Sequence, residues 1–217
     1  MFWYSYVMDY VQKTIAAYDN SPDKYASATT DMVNEQEMEA LVKYMPTGAQ
    51  TILDVGCAFG RDCEAFKERG LCVTGIDMST ELLKRATELK PGIEFLQMDV
   101  RELSFSDHSF SAIWCNAVLL HLNDSDLVKA LRELHRVMVE GGAIAISVKL
   151  GEGEKTFIED FSSNQERYYN FKAEDSLNRL LTDNGFTVRE SYILNEREHF
   201  GPSKRDLNWV WSFANAS

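Results

Sequence analysis

Nothing in this sequence supplies a covalent or metallic frame. The four cysteines, Cys57, Cys63, Cys72 and Cys115, form no C-x-x-C pair. They read as reduced, packed thiols of a cytoplasmic protein, with neither a disulfide frame nor a metal site. Positive charge is also scarce, with 22 Lys and Arg against 34 Asp and Glu and a net charge of −12. That balance works against gripping a phosphate backbone, so no nucleic-acid partner is expected. The short basic spots Lys84-Arg85 and Lys204-Arg205 read as solvated surface. No apolar run approaches the ~20 residues that would span a bilayer. The aromatic N-terminus MFWYSYVMDYV lacks the basic stretch and cleavage site of a secretion signal. Internal repeats and low-complexity tracts are absent too. What remains is a 217-residue chain suited to one sizeable domain and a small-molecule partner.

The residues present alternate between two periods. Tyr4, Val7, Val11, Ile15 and Tyr18 recur every three or four residues, the stripe of an amphipathic helix. Asn20-Ser21-Pro22-Asp23 is turn chemistry, and Glu35 to Met45 predicts a second helix. Strands are then expected at 51–55, 71–76, 93–97, 110–116 and 143–148, with helices at about 60–68, after Ser79, and at 123–138. Gly70 sits where a helix C-cap glycine belongs, and Ser79 where an N-cap does. GEGEKTFIEDFSSNQERYYNF reads as a loop of about twenty residues. One more helix, 173–183, precedes two closing strands, 186–193 and 207–213, joined by a polar turn. Strand–helix alternation predicts an α/β domain with helices on both faces of a parallel sheet, and the closing pair adds one antiparallel strand at the edge.

The centre of this pattern is ILDVGCAFGRD, residues 52–62. A buried strand, a small-residue turn at Gly56, Ala58 and Gly60, and a helix N-terminus let a ligand approach the backbone closely. The turn is not G-x-G-x-x-G, so the dinucleotide reading lacks its third glycine, and the chain has no Tyr-x-x-x-Lys pattern for a dehydrogenase. Asp77 lies 21 residues after Gly56, at the end of the second strand, where a carboxylate can accept both ribose hydroxyls. Asp99 ends the third strand, in reach of an adenine amine. Two carboxylates facing one crevice fit an adenosine without a diphosphate.

With these residues in view, the chain resembles a class I S-adenosylmethionine-dependent methyltransferase, and more narrowly a small, poorly characterised bacterial-type group. The resemblance runs through ILDVGCAFGRD, VTGID at 73–77, FLQMDV at 95–100, IWCNAVLLHL at 113–122 and LRELHRVMVEGGAIAIS at 131–147. It covers about residues 50–195. It implies a Rossmann-like three-layer sandwich, seven strands in the order 3-2-1-4-5-7-6, with residues 1–48 as a helical lid on a core of 49–217. S-adenosyl-L-methionine is the implied cofactor.

Carried over residue by residue, the resemblance places Asp54, Gly56, Cys57, Ala58 and Gly60 in the loop under the methionine part, with Arg61 and Asp62 opening the helix. Asp77 would hold the ribose and Met78 the adenine. Met98, Asp99 and Val100 would border the adenine, and Asn116 would lie near the sulfonium. Tyr25 would reach in from the lid, and His121 would sit between cofactor and substrate, as a base or as a substrate-side residue that only shapes the site. Tyr18, Lys149, Tyr168, Tyr169, Arg205 and Trp209 would face the acceptor. The family more often has glycine where this chain has Ala58. The N-P-P-Y motif of amino-group methyltransferases is absent, since the chain reads Asn116-Ala117-Val118-Leu119. The expected activity is methylation of a small molecule, with tRNA modification or catalytically silent cofactor binding as alternatives.

Overall fold

The computed structural model describes residues 3–158 and 165–217, and the side chains from residue 10 onward within that range. Tyr4 and Val7 of the N-terminal stripe therefore lie outside the described side chains. In chain order the elements are α1 (Trp3–Asp19), α2 (Pro22–Thr29), α3 (Glu35–Tyr44), β1 (Thr51–Val55), α4 (Arg61–Glu68), β2 (Cys72–Asp77), α5 (Thr80–Leu89) and β3 (Glu94–Gln97). There follow β4 (Phe110–Asn116), a 3-10 turn at Leu119–His121, α6 (Asp124–Val137), β5 (Met138–Lys149), β6 (Gly153–Ile158) and β7 (Glu166–Phe171). The chain closes with α7 (Glu174–Asp183), β8 (Phe186–Asn195), α8 (Glu196–Phe200) and β9 (Asn208–Ala216).

Seven strands form one sheet in the order β3-β2-β1-β4-β5-β9-β8. This is the expected order, renumbered because two strands of a separate hairpin intervene. Pairing is parallel from β3 through β5, and β9 runs antiparallel to both β5 and β8. The reversed strand is therefore second from the edge rather than at it, because β8 follows a helical crossover and only the final hairpin reverses direction. Both faces of the sheet are covered. Leu53, Ile113, Ile144 and Ile146 pack with Leu127, Leu131 and Leu134 of α6 on one side. Ile52, Trp114 and Phe213 pack with Met38 and Leu41 of α3 and Phe66 of α4 on the other. Burial on both faces explains why the strands read as continuous apolar runs. Helix starts follow their caps: Ser79 Oγ accepts from Leu82 N, and Asn123 accepts from Asp126 N.

Three segments depart from the sequence expectation. The turn residues 20–23 end α1 but also start α2, since Pro22 takes the first helical position, where its missing N–H costs nothing. Where a twenty-residue loop is expected, the described residues form β6 and β7, an antiparallel two-stranded sheet of their own, and residues 159–164 of that segment lie outside the described residues. Its β6 strand is exposed along nearly all its length, so it carries no apolar alternation that a sequence pattern could reveal. β5 begins at Met138, ahead of Gly141-Gly142, with a register irregularity opposite Phe110 and Ala112.

The N-terminal helices divide between two tasks. α3 belongs to the layer covering the sheet, with Met38 and Leu41 fully buried. α1 lies across the carboxyl ends of the strands and is tied at several points. Asp19 accepts from Ser79 Oγ and Glu81 N, Thr14 Oγ1 accepts from Tyr168 N, and Tyr10 donates to Asp126. Among the described residues, no helix is long and apolar enough to cross a membrane.

Candidate active site

The chain order reverses between β1 and β4, which opens a crevice at the carboxyl ends of the strands. α1 and α2 roof it, and two cavities result. One has a volume of about 790 Å³ and is lined by Gly56, Ala58, Asp77, Met78, Met98, Asp99 and Val100, with Val11, Thr14 and Ile15 of α1 above. The other, about 680 Å³, is lined by Arg61, Lys149, Arg167, Tyr169, Arg205 and Trp209, among others. Tyr18, Tyr25, Asn116, Ala117 and His121 line both cavities and form their common wall.

The turn after β1 is shaped by its small residues. Gly56 has φ +69°, and a Cβ there would stand 2.6 Å from both Cβ and Cγ2 of Val118. Ala58 also takes a left-handed φ of +50°, a conformation that suits glycine better than alanine. Its N–H donates to Asp77 Oδ2 at 2.9 Å, and Ser79 N donates to Oδ1 at 2.8 Å, so the two strand ends are stitched together beneath the cavity. Burial raises the Asp77 pKa above the ordinary carboxylate range, against these backbone donors.

A Gly56→Ala variant is expected to lose about 2–4 kcal/mol of stability, from the left-handed backbone and the overlap with Val118. Adding Val118→Gly should restore the packing share, whereas Val118→Ala should not, because the Val118 Cβ itself is in the way. Urea midpoints of the single and double variants check this.

Beneath the second cavity lies a buried charge hub. Asp62, 5% exposed, accepts from Arg61 Nε at 2.6 Å, Arg61 Nη2 at 2.9 Å, Trp114 Nε1 at 2.8 Å and Asn116 Nδ2 at 3.1 Å. Burial opposes its ionisation, but the Arg61 charge and these donors hold its carboxyl below the usual range. Neighbouring Asp54 is pushed well up, first by burial and then by the Asp62 charge. Asn116 Oδ1 accepts from Ser147 Oγ, which in turn accepts from Ala117 N, and so the end of β4 is held to β5.

At the common wall, His121 Nδ1 lies 2.7 Å from the Tyr168 carbonyl oxygen, which only accepts. In the neutral ring the proton therefore sits on Nδ1. Nε2 is left to accept from the Tyr18 hydroxyl at 2.9 Å, and that hydroxyl accepts from Arg167 Nη1 at 2.8 Å. Arg167, Tyr18 and His121 thus form one directed chain of hydrogen bonds.

The residues singled out in the sequence sort as follows. Gly56, Ala58, Asp77, Met78, Met98, Asp99 and Val100 face the first cavity; Lys149, Tyr169, Arg205 and Trp209 face the second; Tyr18, Tyr25, Asn116 and His121 face both. Arg61 lines the second cavity, not the first. Asp54, Cys57, Gly60 and Asp62 line neither and support the turn from below; Cys57 packs with Cys63 and Leu83. Asp99 reaches the first cavity, but its two oxygens already accept four bonds from Arg101, one from the backbone and three from the guanidinium. Tyr168 lines neither, because alternation along β7 turns it to the face where its ring meets Tyr10 at 4.6 Å. The same alternation puts Arg167 on the Tyr169 side. Sequence reasoning passed over Arg167, although its i, i+2 spacing to Tyr169 was the signal.

Residues 52–142 match a family described as a methyltransferase domain. Over that stretch, less than half of its length, the chain resembles the class I S-adenosylmethionine-dependent methyltransferases. The cofactor of these methyltransferases is S-adenosylmethionine. Over 97 residues the chain is 32% identical to the malonyl-[acyl-carrier protein] O-methyltransferase of Pseudescherichia vulneris, covering 45% of this chain and 38% of that one. Over 127 residues it is 33% identical to the 2-methyl-6-phytyl-1,4-hydroquinone methyltransferase of Synechocystis sp., covering 57% and 39%. The matched stretch thus spans about two fifths of these curated relatives. Among solved structures, the 1,6-didemethyltoxoflavin-N1-methyltransferase of Burkholderia thailandensis, with bound 1,6-didemethyltoxoflavin and S-adenosylhomocysteine, superposes with a TM-score of 0.73. Identity there is 22%, covering 99% of this chain and 89% of the other, a likeness of fold.

Proposed function

We propose that this protein transfers a methyl group from S-adenosylmethionine to a small-molecule acceptor. The observation that carries the reading is the common wall, where a cavity suited to an adenosine meets a second cavity of similar size. The first cavity fits the cofactor chemically. A carboxylate, Asp77, offers acceptors to a ribose. Ile76, Met78, Met98 and Val100 offer apolar faces to an adenine. Gly56 lets the backbone come close to the amino-acid tail. With the Asp99 oxygens occupied by Arg101, that apolar enclosure carries more of the adenine recognition. α1 and α2 serve as the lid.

When bound, the cofactor supplies an electrophilic methyl whose displacement from sulfur needs no acid. The chain's own tasks are alignment and exclusion of water. Tyr18, Tyr25 and Asn116 confine the line between the two cavities. Where the acceptor gives up a proton, the Tyr18 hydroxyl takes it as its own proton moves to His121 Nε2. Arg167 stabilises the phenolic oxygen during that transfer. Tyr18→Phe is expected to lower kcat about 100-fold and to flatten the acid limb of the pH profile, with S-adenosylhomocysteine affinity held within a few-fold. A packing role alone would leave the pH profile in place.

Calorimetric titration with S-adenosylmethionine, S-adenosylhomocysteine and NAD tests the cofactor assignment; binding of NAD alone would overturn it. Transfer of a labelled methyl group over a panel of small molecules tests the activity. Label appearing only in RNA would redirect the assignment to tRNA, and cofactor binding without any turnover would mark a binding protein.

A further inference from the structure

We infer that Arg101 decides how the cofactor's base is read: it holds both oxygens of Asp99, so that the 6-amino group of the purine contributes little to affinity. Asp99 follows β3 and lines the first cavity, where its carboxylate would otherwise be the acceptor for that amine. The inference rests on the reading of this cavity as the S-adenosylmethionine site, but its own support is what already binds Asp99. Oδ1 accepts from Arg101 N at 2.9 Å and from Arg101 Nε at 3.0 Å. Oδ2 accepts from the same Nε at 3.0 Å and from Nη2 at 2.6 Å. A carboxylate has about four lone-pair sites, and Arg101 addresses all of them.

The guanidinium is itself pinned from the other side. Its third nitrogen, Nη1, donates to Asp126 Oδ2 at 2.8 Å. Asp126 is 2% exposed and fixed in its turn: its N–H donates to the Asn123 cap, Lys129 Nζ donates to Oδ1 at 2.8 Å, and Tyr10 of α1 donates to Oδ2 at 2.6 Å. Arg101 thus spans two carboxylates with every guanidinium nitrogen engaged, and its hydrogen bonds to Asp99 lift its pKa further above the ordinary guanidinium value. For a purine amine to take an Asp99 oxygen, a neutral donor must displace one arm of a bidentate, charge-assisted pair, which is the stronger interaction of the two. Met98 and Val100, on either side of Asp99 in the chain, line the same cavity with apolar side chains. They offer the ring a face rather than the amine a strong acceptor. The base is then held by its faces, and its edge substituent counts for little. Arg101 does this through Asp99, as a positioning residue.

The test removes the amine alone. The analogue of S-adenosylhomocysteine with hydrogen in place of the 6-amino group keeps the ring nitrogens as acceptors and loses only the donors of the amine. Both ligands are titrated calorimetrically into the wild-type protein, and their affinities are expected to agree within about threefold. A carboxylate open to that amine would instead favour S-adenosylhomocysteine roughly 10- to 100-fold, as a charge-assisted hydrogen bond requires. In Arg101→Met the side chain keeps its reach and loses its donors, so Asp99 is released and that preference should appear. Asp126 retains Tyr10 and Lys129 in this variant. A purely structural part for Arg101 would shift both affinities together and leave their ratio unchanged. Arg101→Lys, whose ammonium lacks the planar fork, should fall between the two. The wild-type ratio decides the matter even where a variant does not fold. A wild-type preference of about tenfold or more for S-adenosylhomocysteine, or a ratio unmoved in folded Arg101→Met, overturns the inference alone. Failure of both ligands to bind would overturn the cofactor reading, and the inference with it.

Discussion

Asp77→Ala is expected to weaken S-adenosylhomocysteine binding by about two orders of magnitude or more, read by calorimetry. Two ribose hydroxyls donating to one carboxylate are each worth roughly 1.5–3 kcal/mol as charge-assisted bonds. The same carboxylate accepts from Ala58 and Ser79, so its removal also loosens the turn that carries Ala58 at a left-handed φ. Asp77→Asn removes the charge but keeps an acceptor for one of the two backbone N–H groups, so it should loosen the turn less than Asp77→Ala while still weakening the hold on the ribose. The pH dependence has a definite sign. Burial raises the Asp77 pKa, so on acidification the carboxylate takes its proton before an ordinary aspartate would. A protonated carboxyl is a poorer acceptor for hydroxyl donors. Affinity should therefore hold at neutral pH and begin to fall above the usual carboxylate range as pH drops, and Asp77→Asn should flatten that fall. Unchanged affinity in Asp77→Ala would remove this residue from the cofactor site.

The largest effect on stability is expected at Asp62. Asp62→Ala leaves the Arg61 guanidinium, the Trp114 indole N–H and the Asn116 amide without their shared acceptor inside the protein. Breaking one partner out of a buried pair typically costs 3–5 kcal/mol. For a chain of this size that lowers the melting temperature by about 6–20 °C, read by thermal and urea unfolding. The linkage runs in the usual carboxylate direction: the folded-state pKa of Asp62 is depressed. Its contribution is therefore complete above the unfolded value of about 3.9 and is lost as pH falls through the lower folded value. Asp62→Asn should be less stable at neutral pH and should approach the wild type in acid.

Most of the fold was readable because parallel strands buried on both faces announce themselves as apolar runs punctuated by Gly56, Gly70 and the cap at Ser79. The β6–β7 hairpin was not, since an exposed strand such as β6 has no face to mark. At the site, residues fixed to the backbone at strand ends, such as Asp77 and Asn116, follow directly from strand boundaries. Residues whose place depends on side-chain direction do not. Tyr168 and Tyr169 are neighbours in sequence and opposites in space, and Asp99 was legible as a strand-end acid but not as the partner of Arg101. Arg167 required knowing that its segment is a strand at all.

Tyr18 belongs to α1 yet forms part of the boundary of both cavities. A helix shared in this way makes the two ligands thermodynamic neighbours. Whatever factor one ligand gains in affinity by ordering α1, the other gains equally, because coupling between sites is reciprocal. The ties at Asp19, Thr14 and Tyr10 then set how much ordering is left for a ligand to supply. Weakening them, without touching either pocket, would trade affinity for faster release of both products together.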